Sequence, residues 1–356
     1  MMSGDYVPGS WHIYAPNKGA AIFFTVAFTL TGAWHVYLCI HHHSWKLTGL
    51  HPTATVLFIA GFLTRCLSAW DYTNLIKFIV STVLIYAAPP LVELCNYHVL
   101  GRILAYAPQF TPIHPGRVLT TFGFLSSVIE ALNGTGVAYS ANMSLPEDKR
   151  AVGRDLVKAS LVMQLFVLAA LVVLAGVFQR RVWKAGGTWR GNKRLNTPLW
   201  VLYISTALIL ARTIFRVEEY WALSGAGSEE IFMVIFNPTK WGTVEADEAA
   251  RRLPRELRAE WYFMVFEASV MLVNQVMWAA WHPRRYLPKS SKVCLADDGE
   301  TEVEGKGYED ERKFWVTVVD PFDIWGMVKR VRGQGREEKE GKEKREEKRE
   351  EVDNRV

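Results

Sequence analysis

The chain has 356 residues, half of them hydrophobic, with 14 Trp, 18 Phe and a formal net charge of +5. The apolar residues come in blocks of about 20, the length of a membrane crossing, which excludes an ordinary soluble enzyme domain of this size. The basic excess sits in short loops, arguing against nucleic acid as a partner, and Cys39, Cys66, Cys95 and Cys294 form neither a C-x-x-C pair nor a disulfide framework.

Residues 1–19 lack a signal-peptide pattern and read as an extracellular N-terminus, so the first apolar block is kept as a span. Seven blocks within 20–282 read as spanning helices. The first three run from about Ala20 to Ile40, Thr53 to Trp70 (with Arg65) and Leu75 to His98 (with Pro89-Pro90, then Glu93). The fourth, Val118 to Tyr139, carries Glu130 and Asn133-Gly134-Thr135-Gly136, and the fifth, Leu156 to Phe178, is apolar except for Gln164. The sixth and seventh run from Leu199 to Trp221 and from Glu260 to Trp281. The expected fold is all-α, a polytopic seven-transmembrane-helix bundle with a disordered cytosolic C-terminal tail.

Loop charge sets the orientation. Loops 41–50, 99–117 and 180–197 contain no Asp or Glu but do contain Lys46, Arg102, Arg117, Arg180, Arg181 and Arg194, and Arg284 and Arg285 follow the seventh span. The positive-inside rule then puts these loops in the cytosol, with the N-terminus outside and the C-terminus inside. Asn142-Met143-Ser144 falls outside as a glycosylation sequon at Asn142, whereas Asn133-Gly134-Thr135 lies within a span and is discounted. Residues 223–259 form a long outer loop with a short helix around Ala246 to Arg258. In the charged tail, 283–356, residues 322–331 have the pattern of an interfacial helix.

Charges recur at depth. Ile204 to Trp221 ends in Arg212, Arg216, Glu218 and Glu219. On a helix Arg212, Arg216 and Glu219 share a side, Glu218 turns away, Arg216 can pair with Glu219, and Arg212 needs an acid from another helix. In the seventh block Glu260, Glu267, Asn274 and Trp278 follow at steps of seven and four, on one face. The fourth places Ser126, Glu130, Gly134 and Val137 together, and the third is expected to kink at its prolines just below Glu93. With Arg65 these residues outline a partly compensated polar interior able to exchange protons or hold a cationic head group. The competing readings are an interfacial cap of snorkelling charges and helix-to-helix pinning.

No P-loop motif occurs, so nothing points to ATP hydrolysis, and no catalytic residue, cofactor or metal is implied. His41-His42-His43 reads as a loop cluster, His282-Pro283 as a helix terminator, and His35, His51 and His98 as isolated histidines without metal-site spacing.

With those residues in view, the chain resembles the fungal RTA-like family, also called the lipid-translocating exporter family. The matching stretches are A-R-T-I-F-R-V-E-E-Y at 211–220, E-W-Y-F-M-V-F-E-A at 260–268 with W-H-P at 281–283, and Y-A-A-P-P-L-V-E-L-C-N-Y-H-V-L-G-R-I at 86–103. G-F-L-T-R at 61–65, F-L-S-S-V-I-E-A-L-N-G-T-G at 124–136 and L-V-M-Q-L-F at 161–166 also fall in order. The resemblance implies seven spans and translocation or efflux of membrane lipids, sphingoid bases or amphipathic toxicants. It implies a plasma-membrane or endomembrane location and no set oligomeric state. Carried over, it marks Arg65, Glu93, Arg212, Arg216, Glu219, Glu260 and Glu267, with Glu219 and Glu260 flanking an outer mouth. Glu267 stands where the family usually has Asp, and Glu130 near a common Gln. Two alternatives compete with a translocase: a seven-helix receptor or sensor signalling through its inner loops and tail, and an intramembrane lipid hydrolase built on the histidines.

Overall fold

A computed structural model describes residues 7–71, 73–142, 144–223, 231, 234–235, 238–290, 292–296, 298–304 and 316. Among these, seven long helices form the bundle: α1 Lys18–His41, α2 Leu50–Ser68, α3 Leu75–Tyr106, α4 Pro115–Ala141, α5 Glu147–Ala185, α6 Lys193–Leu223 and α7. α7 starts as Glu260–Phe263, widens into a π-helical turn at Met264–Ser269 and continues as Val270–Ala280. Local chemistry fixes several ends. Asn17 accepts from Ala20 N at the start of α1, and Asn74 from the amides of Ile76 and Lys77 at the start of α3. α5 carries Glu147 and Asp148 in its first turn and Lys184 in its last, matching the helix dipole, and stops at Gly186 with φ +68°.

Six of these segments are long and apolar enough to cross a membrane: Lys18–His41, Leu50–Ser68, Leu75–Tyr106, Glu147–Ala185, Lys193–Ala222 and Glu260–Arg285. Large apolar side chains point outward along them; Phe23, Leu30, Ile76, Phe166 and Val173 are each more than half exposed. Such a surface suits acyl chains rather than water. The protein is an all-α, multi-pass membrane protein. α4 is missing from the six because Thr120, Thr121, Ser126, Ser127, Glu130 and Asn133 dilute its apolar content. It is still long enough at 27 residues, and it packs between α3 and α5 along the bundle.

Aromatic and glycine contacts lock the helices together. Phe28 of α1 stacks on Phe58 and Phe62 of α2 at 4.4 and 5.6 Å. A β-carbon on Gly61 would meet Ile85 Cγ1 of α3 at 2.6 Å, so the α2–α3 crossing requires glycine. On α4 the close-packing glycine is Gly136, whose added β-carbon would meet Gly153 O of α5 at 2.8 Å.

The structure corrects four expectations. α3 runs unbroken through Pro89 and Pro90 to Tyr106 instead of ending at His98; the prolines remove only the amides that would bond the carbonyls of Ile85 and Tyr86. On α4, Gly134 and Val137 are exposed, so the stripe of Ser126 and Glu130 does not continue as a buried face. The helix expected at Ala246 to Arg258 forms as Val244–Arg252 and Arg255–Arg258. Part of the tail expected to be disordered is folded: Val293–Leu295 pairs antiparallel with Glu302–Glu304, and Leu287 and Leu295 enter the core. The candidate interfacial helix 322–331 lies outside the described residues.

The two ends of the bundle differ. At one, Arg102 donates to Pro288 O and Ser290 O, Arg181 to Thr111 O, and Arg194 pairs with Glu302, gathering the basic loops around the hairpin. At the other, residues 7–17 lie across the bundle: Trp11 Nε1 donates to Thr73 O, and Ile13 packs with Ile235, Ala249 and Leu253.

Candidate functional site

Three arginines line the bundle interior, each with a carboxylate. Arg212 of α6 donates from Nε to both Glu267 oxygens at 2.9 Å and pairs through Nη2 at 2.8 Å. This is the acid from another helix that Arg212 requires. Glu267 lies in the π-helical turn of α7, where Ser269 Oγ donates to Met264 O five residues back, closing the widened turn. Arg216 pairs with Glu219 three residues on, donates to Tyr86 Oη at 2.8 Å, and lies 3.9 Å over the Tyr86 ring. Glu218 is exposed. Arg65 of α2 pairs with Glu260 at 2.9 Å, with both side chains at most 4% exposed, and its guanidinium sits 4.4 Å over the Phe263 ring.

Glu260 does not stand open at an outer mouth, because the N-terminal segment covers it. Asn17 N donates to Glu260 Oε2 at 2.7 Å and Arg65 Nη2 to Tyr14 Oη at 3.0 Å. His12 lies against Arg65 Nη1 at 3.5 Å and Ser68 Oγ at 3.1 Å. Burial first, then the Arg65 charge, push the His12 imidazole down to about 2, so it is neutral at physiological pH. Burial also pushes the Tyr14 hydroxyl up. Glu219 is only half-buried and lies within electrostatic range of Tyr14 in that segment.

Two acids have no arginine of their own. Glu93 accepts from Gln164 Nε2 at 2.5 Å and from Tyr97 Oη at 3.2 Å, and Tyr97 Oη also meets Ser126 Oγ at 3.1 Å. Glu130 makes no hydrogen bond among the described residues and lies within electrostatic range of Glu93 and Arg212. Deeper along α7, Ser205 Oγ donates to Asn274 Oδ1 at 3.0 Å and accepts from Asn96 Nδ2 and Trp278 Nε1. Glu260, Glu267, Asn274 and Trp278 are all buried despite the extra residue in the π-helical turn. Asn142 is exposed at the end of α4, where its Oδ1 accepts from Ser144 N and Oγ.

The structure thus gathers Arg65, Glu93, Glu130, Arg212, Arg216, Glu219, Glu260, Glu267 and Asn274 into one polar seam. Tyr86, Tyr97, Asn96, Gln164 and Ser205 complete it, and all but Gln164 carried no individual signal in the sequence. Gln164, as the polar residue in an otherwise apolar block, was the one visible hint. Among the described residues no group of three or more His, Cys, Asp and Glu forms a metal site.

Residues 53–237 match the family model described as RTA1 like protein. The chain is 38% identical over 316 residues to the lipid-translocating exporter-like protein RTA1 of Leptosphaeria maculans, covering 86% of this chain and 57% of that protein. It therefore spans little more than half the length of that relative. A protein of the same name from Ajellomyces capsulatus is 25% identical over 299 residues, covering 80% of this chain and 84% of that protein. Protein RTA1 of Saccharomyces cerevisiae is 27% identical over 244 residues, covering 58% and 73%. No solved structure matches the chain. The family match covers just over half of the chain and includes the arginine-rich helix that anchors the seam; the chain belongs to the RTA1-like family.

Proposed function

We propose that this protein translocates amphipathic lipids or toxicants with a cationic head group across the membrane through its polar seam, without ATP hydrolysis of its own. The observation that carries this reading is the charge balance. Arg65, Arg212 and Arg216 are matched by Glu260, Glu267 and Glu219, which leaves Glu93 and Glu130 as surplus acids. Glu130 is half-buried, whereas Glu93 is buried, and a buried acid without a fixed cation is costly unless it takes up a proton or meets a mobile cation, which long-chain bases supply. The printed names of the relatives, lipid-translocating exporter-like proteins, support lipid movement as the general role.

In this reading α4 crosses the membrane with the other six helices, placing the N-terminus outside and the C-terminus in the cytosol. The gathering of basic loops at the end opposite residues 7–17 supports that orientation. The membrane is the plasma membrane, or an endomembrane in the alternative.

Purified protein in liposomes should move a labelled sphingoid base faster than empty liposomes do, and Glu93→Gln or Glu130→Gln should slow it about tenfold or more. Movement no faster than in empty liposomes overturns the proposal. Removing residues 305–356, beyond the packed hairpin, should leave transport intact, whereas a receptor would lose its output.

A further inference from the structure

Four histidines on three elements converge between the basic end of the bundle and the seam. His35 of α1 stacks on His51 of α2, with centroids 4.9 Å apart and planes 8° from parallel. Both meet one glutamine: His35 Nε2 lies 2.9 Å from Gln275 O and His51 Nδ1 2.9 Å from Gln275 Oε1. Toward the basic end, His282 stacks on His42 at 5.2 Å and its Nε2 meets Thr48 Oγ1 at 3.2 Å. His282 is in electrostatic range of both His35 and His51, so the two stacks adjoin. Their depth differs: His42 is half-buried, while His35, His51 and His282 are each 1% exposed.

The column continues inward. The His51 ring lies 5.8 Å from the Trp278 ring, Trp278 Nε1 donates to Ser205 Oγ, and Ser205 bonds both Asn274 and Asn96. Asn96 sits one turn along α3 from Glu93, so polar groups run from the surface to the surplus acid.

Three buried nitrogens on this column, His35 Nδ1, His51 Nε2 and Gln275 Nε2, make no hydrogen bond among the described residues. A buried polar atom left so is costly; a water would satisfy any of the three, and a proton in transit the imidazole nitrogens. Cys39 of α1 and Cys95 of α3 flank Thr48 and the His51 backbone, and the cations Arg284, Arg285 and Lys289 stand outside His42 and His282. No carboxylate acts on His35 or His51 among the described residues. Without a counter-ion a protonated imidazole is transient, which suits a carrier and not a fixed ion pair.

We propose that His42, His282, His51 and His35 form a proton path from the cytosolic face to the seam, so that this protein conducts protons. At His35 and His51 the nitrogen held by Gln275 keeps its hydrogen. The free nitrogen, His35 Nδ1 or His51 Nε2, takes up a proton from a neighbouring water and gives it back to the next one, so each N–H bond formed is matched by one broken. The inference rests on the translocase reading for the seam and for the orientation, and goes beyond it in the histidines and the proton movement.

The test uses the full chain in phosphatidylcholine vesicles holding a pH-sensitive dye, with proton uptake driven by a potassium gradient and valinomycin. Wild type should exceed empty vesicles, and His35→Gln and His51→Gln should fall about tenfold, while the exposed, off-path His43→Asn stays unchanged. Wild-type uptake at the empty-vesicle rate, or uptake unaltered in both variants, overturns the proposal. If those variants fail to fold, the half-buried His42→Gln decides by the same readout: slowed uptake supports the path and unchanged uptake overturns it. Labelled-lipid movement in the same vesicles separates the two readings, since lipid movement without proton uptake defeats this one and leaves the translocase standing.

Discussion

Arg212 grips both oxygens of Glu267, and both side chains are buried, at 6% and 0% exposure. Removing one partner leaves the other charge buried, so Arg212→Leu or Glu267→Leu should each cost about 3–5 kcal/mol, whereas replacing both by apolar residues should recover most of the loss. Thermal unfolding of the two single variants and the double variant in detergent checks this. A double variant as unstable as the sum of the singles would mean that the two residues do not act as a pair.

The glycines make a contrasting pair of substitutions. At Gly61 an added β-carbon would lie 2.6 Å from Ile85 Cγ1 and 3.1 Å from Ile85 N, and that backbone cannot yield cheaply. Gly61→Ala should destabilise by about 1–3 kcal/mol. At Gly134 nothing lies within 4 Å, so Gly134→Ala should be neutral or add up to about 1 kcal/mol of helix propensity. Folded yield by size-exclusion chromatography and melting temperature read both.

The N-terminal cap should respond to acid. His12 is held at about 2 in the folded chain against 6.5 when unfolded, so the unfolded chain binds the extra proton. The depressed value makes the His12 contribution complete above about pH 6.5 and lost progressively as pH falls toward 2, by up to about 1.4 kcal/mol per pH unit. His12→Asn should flatten that slope in unfolding measured between pH 4 and 7, a range of about three units.

Asn142 stands exposed with its side chain turned to Ser144, accepting from its amide and hydroxyl. In the proposed orientation, with the N-terminus outside, protein made in a fungal host should carry a glycan there. Its removal by endoglycosidase, or by Ser144→Ala, should increase gel mobility. No shift in either case would argue against an outer location for this turn.

Much of the site was readable from spacing. Arg216 with Glu219 follows from a step of three, and Arg212 had to find an acid elsewhere because none on its own helix reaches it. The particular acid was not readable: Glu93, Glu130, Glu260 and Glu267 all lie on other helices, and the helix order decided among them. The same holds for Glu93, whose partners Gln164 and Tyr97 come from α5 and one turn along α3. The histidines looked scattered because their convergence depends on α1, α2 and α7 meeting.

Periodicity and apolar length, which follow from backbone geometry and bilayer thickness, determined within the sequence six membrane-length apolar spans, the faces of the charged helices and the basic character of one set of loops. Burial required the tertiary structure: residues 7–17 sealing Arg65 and Glu260, the π-helical turn presenting Glu267 to Arg212, and the hairpin closing the opposite end. Those arrangements arise from contacts between segments up to 243 residues apart, as between Asn17 and Glu260, and local patterning has no reach over such distances.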